Sequence, residues 1–260
     1  MKSFLKIKNK LMKIVARFGW PRKRYCVFCE KPVSRFLPYR NGSRGRSAFT
    51  KAMQVVGSDV DNFSCPRCGC HDRERHLYLY VQKLALYNQL SGYDVLHFAP
   101  EKRLSELLGQ IIKGRYTKAD LYPASADIKQ VDITKMAFND QNFDLIIANH
   151  VLEHVDDASK ALNEIYRVVK KGGYCILQTP YSEKLQHTFS DPGINDEIDR
   201  FQAYGQEDHV RLFGNDIFDI ITKAGFESMV TTHNQLLPDI DATRYGVNPR
   251  EPLFLFRRPM

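Results

Sequence analysis

Two neighbouring stretches dictate the architecture: Phe143-Asp-Leu-Ile-Ile-Ala-Asn-His-Val-Leu-Glu-His-Val155 and Lys170-Lys-Gly-Gly-Tyr-Cys-Ile-Leu-Gln-Thr-Pro180. The first opens with a short isoleucine-rich run, which reads as a strand over Asp144–Ala148 buried on both faces. Asn149 and His150 then place polar groups at the strand's end. A helix follows over Ala158–Val169, with Ala161, Leu162, Ile165, Val168 and Val169 facing inward. A glycine turn leads into a second buried strand, Tyr174–Gln178. Strand, crossover helix and strand make a parallel pair. Open sheets of this kind bind ligands beyond the carboxyl ends of their strands, so the polar residues there are the first candidates for a site.

The same reading extends over 91–260. Strands are expected at Asp94–Phe98 and Tyr116–Ala119, a helix at Lys102–Ile112, and a short extended segment at Asp127–Val131. A helix near Asp216–Ala224 precedes two extended segments, Glu227–Thr232 and Leu253–Arg257, with no helix read between them, hence an antiparallel pair. The expected fold class is α/β, a Rossmann-like, mostly parallel sheet. The strand ends carry His97–Glu101, Asp120–Leu121, Asp132–Ile133, Asn149–His150 and Thr179–Tyr181. Asp120 follows the first strand's end by 22 residues, where a carboxylate takes the hydroxyls of a ribose. Asp132 is placed to accept from an adenine amino group, with Ile133 lining the ring.

The front of the chain differs. At 260 residues with 43% hydrophobic content there is room for one α/β domain and a small module. The net charge of +8 is concentrated early: residues 1–24 carry nine Lys/Arg and no acid, whereas 93–260 carry 19 basic and 25 acidic residues. The sheet domain is therefore not a general nucleic-acid grip. Residues 2–18 repeat Phe4, Ile7, Leu11, Ile14 and Phe18 at helical spacing among lysines, ended by Gly19-Trp20-Pro21. Such a helix lies on an anionic membrane surface or docks on the protein itself. No apolar run approaches the ~18 residues of a spanning helix, and no secretory signal is evident. The expected location is cytoplasmic, with peripheral membrane contact only if residues 2–18 take the membrane reading rather than docking on the protein's own core or another subunit. The division reads 1–21 helix, 22–90 module and linking helix, 91–260 catalytic domain.

Cys26-Val-Phe-Cys29 and Cys65-Pro-Arg-Cys68-Gly69 are two knuckles, each pointing two sulfurs at one ion, with Gly69 permitting a positive φ. Cys26, Cys29, Cys65 and Cys68 are the expected ligands of a structural Zn²⁺. Cys70 is a spare thiol or an alternative fourth ligand. The 35 residues between the pairs exceed the usual ribbon spacing of ~15–20 and contain Arg40-Asn-Gly-Ser-Arg-Gly-Arg46, read as an extended finger. A helix is expected from an Asp72 N-cap to about Asn88, its first turn Arg73-Glu-Arg-His76 either aimed at a ligand or solvated.

These positions resemble class I S-adenosylmethionine-dependent methyltransferases over roughly 93–260, above all the bacterial type 11 family with Phe-Asp, Leu-Glu-His and a later Lys-x-Gly-Gly. The resemblance implies strand order 3-2-1-4-5-7-6 with the seventh antiparallel, and S-adenosylmethionine as cofactor. In one place the chain departs from the family. Where the first strand usually ends in an acid and a glycine-rich loop, this chain has His97-Phe98-Ala99-Pro100-Glu101. Ala99 is small enough for close approach, and Glu101 is placed to supply the carboxylate for the methionine amino group. The resemblance puts His97, Ala99, Pro100, Glu101, Asp120, Leu121, Asp132, Ile133, Asn149 and His150 at the cofactor.

His150-Val-Leu-Glu-His154 also fits the inverted zinc-protease pattern, but that pattern needs both histidines on one helix, and His150 falls in a strand-to-helix loop. Glu153 and His154 then line the acceptor pocket or brace the loop. Methyl transfer to a hydroxyl or amine needs a base, and histidine suits that near neutrality. His209 and Asp208, in Gln206-Glu-Asp-His-Val-Arg-Leu-Phe213, and His150 are the catalytic candidates, with Arg211 an anion clamp. The expected substrate is a small or lipid-linked acceptor, sugars included. The alternatives are an RNA acceptor held by Arg40, Arg44, Arg46 and Lys51, or a catalytically silent scaffold.

Overall fold

The computed structural model describes residues 2–260, with side chains from residue 10 onward. Its centre is a sheet of seven strands: β1 Val95–Phe98, β2 Tyr116–Asp120, β3 Lys129–Gln130, β4 Phe143–Ala148, β5 Val169–Ile176, β6 Glu227–Ser228 and β7 Leu255–Arg257. Their order is β6-β7-β5-β4-β1-β2-β3, parallel except that β7 runs antiparallel to both β5 and β6. Fold class and strand order are those expected. β1 and β4 are inaccessible because both faces are covered, one by the Ala158–Val168 helix, the other by the Asp72–Lys83 and Lys102–Ile111 helices. The continuous apolar run in β4 reflects this.

Three local expectations are corrected. The glycine pair is a bulge inside β5, not a turn before it: Phe143 pairs with Val169, then Leu145 with Tyr174. Gly172 has φ +70°, and a Cβ at Gly173 would stand 2.9 Å from the Lys170 carbonyl, so the bulge requires glycine there. The helix after the second cysteine pair is capped at His71, not Asp72, because Glu74 turns back to accept the His71 N–H (2.6 Å). That helix stops at Lys83, and a 3₁₀ segment, Ala85–Gly92, continues the chain. Two single-turn helices, His233–Leu236 and Ala242–Tyr245, separate β6 from β7, so the pair is not a simple hairpin.

The 35-residue insertion is not an extended finger. Its Val55–Val56 pairs antiparallel with Tyr181–Ser182, beyond the end of β5. Ser47 caps the Ala48–Ala52 helix and donates to the Gln202 carbonyl (2.8 Å). Arg75, fully buried, fastens this module to the C-terminal loop by donating to the carbonyls of Asn62, Phe63, Cys70, Tyr245 and Gly246.

The N-terminal helix runs Lys2–Phe18. Phe4 and Ile7 of the expected stripe lie outside the described side chains. The helix is held at its C-terminal end: Ser34 donates to the Val15 and Ala16 carbonyls, and Arg17 to that of Pro66. Ala16 is buried, but Leu11, Ile14, Val15 and Phe18 remain exposed.

Candidate functional site: a crevice opening onto a walled cavity

At the carboxyl end of β1 the chain turns sharply at Ala99, which has φ +45° and is exposed. Glycine's usual conformation is thus taken by alanine, whose methyl group is the smallest side chain that could stand there. Pro100 then leads to Glu101, the cap residue of the Lys102–Ile111 helix. Glu101 is nearly buried; it accepts from Asn149 Nδ2 (2.5 Å) and lies 3.3 Å from His97 Nε2 and 3.6 Å from Arg73 Nε. Burial works against its charge, but His97 and Arg73 outweigh this and hold it below the usual carboxylate range. His97 is anchored at Nδ1 by the Tyr116 hydroxyl (2.8 Å). Among the buried polar atoms of this cluster, Asn149 Oδ1 and Arg73 Nε have no hydrogen-bond partner, and Glu101 Oε2 and His97 Nε2 face each other at 3.3 Å without hydrogen-bond geometry. Buried polar atoms are seldom left so, and a carboxylate oxygen beside an amide oxygen suits an ammonium group.

Asp120 ends β2, and one of its oxygens accepts the Tyr122 N–H (2.8 Å). Leu121 and Tyr122 beside it are exposed. Asp132, exposed, accepts the Thr134 N–H and hydroxyl and is held ionised by them. Ile133 is buried against Met136 and the core. Both carboxylates therefore stand at adjacent strand ends, with an oxygen to spare for a polar ligand.

His150, the residue after Asn149, adopts left-handed backbone (φ +57°), a conformation that costs a non-glycine residue ~1 kcal/mol or more. Its N–H donates to the Gln178 carbonyl (2.7 Å), and its ring lies between Glu153 (3.4 Å) and Glu251 (3.3 Å). Burial alone would lower its pKa, but the two carboxylates raise it to about 9, so His150 is an imidazolium. Both glutamates are correspondingly held at about 2. Glu251 also faces His76 (3.7 Å), which bonds His233 (2.9 Å), so a buried polar chain runs from strand end to C-terminal loop.

His150 forms part of the wall of a cavity of about 480 Å³. The other walls come from the cysteine module (Pro38–Arg46, Val55–Ser64), from His71 and Arg73, and from Phe201–His209. His209 is buried, its Nδ1 donating to the Tyr204 carbonyl (3.2 Å), which leaves Nε2 unprotonated and without a partner. Burial lowers its pKa. Asp208 pairs with His154 (3.3 Å) rather than with His209. The catalytic pair read from adjacency is thus split: one member lines the cavity, the other fixes His154. Glu153, His154 and His209 carry ligand-type atoms within 4.8 Å of one another. Arg211 donates to the Asp156 carbonyl and stacks on Phe213, away from the cavity lining.

The four knuckle thiols converge: Cys26 and Cys68 sulfurs are 3.7 Å apart, Cys29 and Cys65 3.9 Å. Four thiolates at Zn–S distances of about 2.3 Å in a tetrahedron stand roughly 3.8 Å apart, so the donor set fits zinc. Gly69 takes φ +80°, as the knuckle requires. Cys70 lies 3.4 Å from Cys26, outside this set of four.

Sequence reasoning missed Glu251, on the loop before β7, and Tyr204, at the end of the Glu197–Tyr204 helix, and read Arg46 only as a contact for RNA. A buried glutamate in a polar stretch, Asn248-Pro-Arg-Glu251, gives no periodic signal.

A methyltransferase domain model matches residues 104–177, from the helix after β1 to the end of β5. Over 65 residues the chain is 37% identical to a ubiquinone/menaquinone biosynthesis C-methyltransferase UbiE of Desulfotalea psychrophila, covering 24% of this chain and 26% of that protein. Over 137 residues it is 29% identical to a demethylmenaquinone methyltransferase of Lactobacillus johnsonii, covering 52% and 49%. The chain thus spans between a quarter and a half of the length of these relatives. Among solved structures, the N-methyltransferase NodS from Bradyrhizobium japonicum, in complex with S-adenosyl-L-homocysteine, aligns with 72% of this chain and 88% of its own at 17% identity, with a TM-score of 0.45. Residues 104–177 thus resemble a methyltransferase domain, and the strand order around them is that of a mostly parallel, Rossmann-like seven-stranded sheet.

Proposed function

We propose that this chain binds S-adenosylmethionine across the ends of β1, β2 and β4 and passes its methyl group to a small-molecule or lipid-linked acceptor in the adjoining cavity. One observation carries the reading. The unpartnered Asn149 oxygen, with Glu101 Oε2 facing only His97, fits the ammonium of the cofactor's methionine, while His150, one residue further on, belongs to the cavity wall. Asp120 would take the ribose hydroxyls and Asp132 the adenine amino group, with Leu121 and Ile133 against the ring, and Ala99 and Pro100 shaping the turn beneath. When bound, the cofactor supplies an electrophilic methyl carbon. The chain's residues align the acceptor and exclude water. His209, neutral and part of the cavity wall, takes the proton the acceptor releases on Nε2; protonated His150 cannot serve as that base and contributes a fixed positive charge.

Zinc on Cys26, Cys29, Cys65 and Cys68 is structural in this reading, closing the module that forms one cavity wall. An RNA acceptor is less well supported: Arg40 is paired with Glu207, and the outer cleft that Arg46 shares with Arg44 and Lys51 also carries Glu183. The test is calorimetric titration with S-adenosylmethionine. Wild type should bind, and Asp120→Ala should bind at least tenfold more weakly, about 1.4 kcal/mol or more for a lost charge-assisted bond. Equal affinity in the two proteins removes Asp120 from the site. No binding to folded wild type removes the function.

A further inference from the structure

The cavity's charge is one-sided. Three arginines and three histidines stand in its wall, and among the described lining residues none is Asp or Glu. Most of that positive charge is already answered from behind. Arg40 pairs with Glu207 (2.5 Å), Arg73 lies beside Glu101 (3.6 Å), and His150 sits between two glutamates. Arg46 is the exception. Its guanidinium is partly buried and its hydrogen bonds go to neutral carbonyls, those of Val55 (3.3 Å) and Ser58 (3.0 Å); Asp61, Asp59 and Asp72 act on it from a distance, and none forms an ion pair with it. A buried cation without a paired anion is costly, and such sites recover that cost when an anion binds. Arg46 also lines a second cleft with Arg44 and Lys51, where Arg250 is paired with Glu183, so a net positive field extends outward from it. Tyr39 and Phe63, tilted against each other with ring centres 4.9 Å apart, offer an apolar wall on the same side.

We infer that the cavity is built for an anion: its ligand carries a phosphate or carboxylate that becomes the counter-ion of Arg46. This rests on the methyl-transfer reading only in naming that ligand the acceptor. The apolar body of the acceptor lies against Tyr39 and Phe63, and its anionic group fixes which atom is presented at His150 and His209.

The test uses the full zinc-loaded chain at low ionic strength. Inorganic pyrophosphate and succinate are titrated separately by calorimetry, and S-adenosylmethionine is titrated in parallel. At least one anion should bind wild type, and which of them binds distinguishes phosphate from carboxylate. Arg46→Gln should weaken that binding at least tenfold and leave S-adenosylmethionine affinity unchanged. Gln206→Glu adds a carboxylate to the lining without touching any Arg46 bond, so it should weaken the anion even if Arg46→Gln folds poorly. Lys23→Gln, remote from the cavity, should have no effect. Failure of both anions to bind, or equal affinity in Arg46→Gln, overturns the inference. If the anion binds and S-adenosylmethionine does not, the methyl-transfer reading falls while the anion site stands.

Discussion

At the scale of single residues, the site depends on groups whose protonation is fixed by what buries them. His150 is the clearest case. Its folded pKa of about 9 lies above the ~6.5 of a free imidazole, so its ion pairs stabilise the fold fully below pH 6.5 and are lost as pH rises through 9. Glu251, held at about 2, contributes in the opposite sense, with stability present above pH 4.5 and lost as pH falls toward 2. The thermal midpoint should therefore fall between pH 7 and 10 in the wild type. In Glu251→Gln, which removes one of the two carboxylates beside His150, the fall should begin at lower pH. A midpoint independent of pH over that range in the wild type would show that His150 is not charged in the fold. Ala99 shows how far such residues were legible. The sequence flagged it as a departure from a glycine-rich loop, and the structure keeps the left-handed turn with alanine in it. The charge state of His150 was not legible, because Glu251 lies 101 positions away and approaches only through β7 and the loop before it.

At the scale of elements, the strands buried on both faces were readable and the connections were not. The apolar run Leu145–Ala148 in β4 and the buried Val95, Leu96 and Phe98 of β1 leave one interpretation, and the antiparallel last strand follows once the crossover helices are counted. The insertion between the cysteine pairs was opaque because its role is set by a two-residue pairing, Val55–Val56 on Tyr181–Ser182, too short to leave a pattern. That pairing makes the metal matter for the substrate. If zinc holds the module, losing it should loosen the wall that runs from Pro38 to Ser64 while leaving the strand ends to which we assign the cofactor. Cys65→Ser or Cys68→Ser should release about one zinc per chain, measured by metal analysis. S-adenosylmethionine affinity should change less than threefold, and acceptor KM should rise about tenfold or more. A metal-free wild-type chain with an intact fold would remove the zinc; an equal loss of cofactor affinity would show that the module braces the whole sheet. Arg75 argues for the limited effect, since two of its five carbonyl bonds tie the module to Tyr245 and Gly246 and none reaches β1 or β2.

At the scale of the whole molecule, the basic front and the acidic sheet domain divide the surface into two kinds. No described helix is long and apolar enough to cross a membrane. Yet Leu11 (61% exposed), Ile14, Val15 and Phe18 leave an apolar face open, and Trp20 beside it is 90% exposed. Lys10, Lys13, Arg22 and Lys23 surround that face. An amphipathic helix with that distribution fits an anionic lipid surface, each cation near it adding about 1 kcal/mol. Because the helix is fastened to the cysteine module at Ser34 and Pro66, membrane contact would orient the module toward the bilayer. Such contact favours an acceptor drawn from the membrane surface. The chain should therefore sediment with vesicles containing phosphatidylglycerol and much less with pure phosphatidylcholine, and added salt should release it. Phe18→Ser with Trp20→Ser should lower the bound fraction severalfold without changing S-adenosylmethionine affinity. Equal sedimentation with both vesicle types, or no effect of the double substitution, would mean that the exposed face meets something other than lipid.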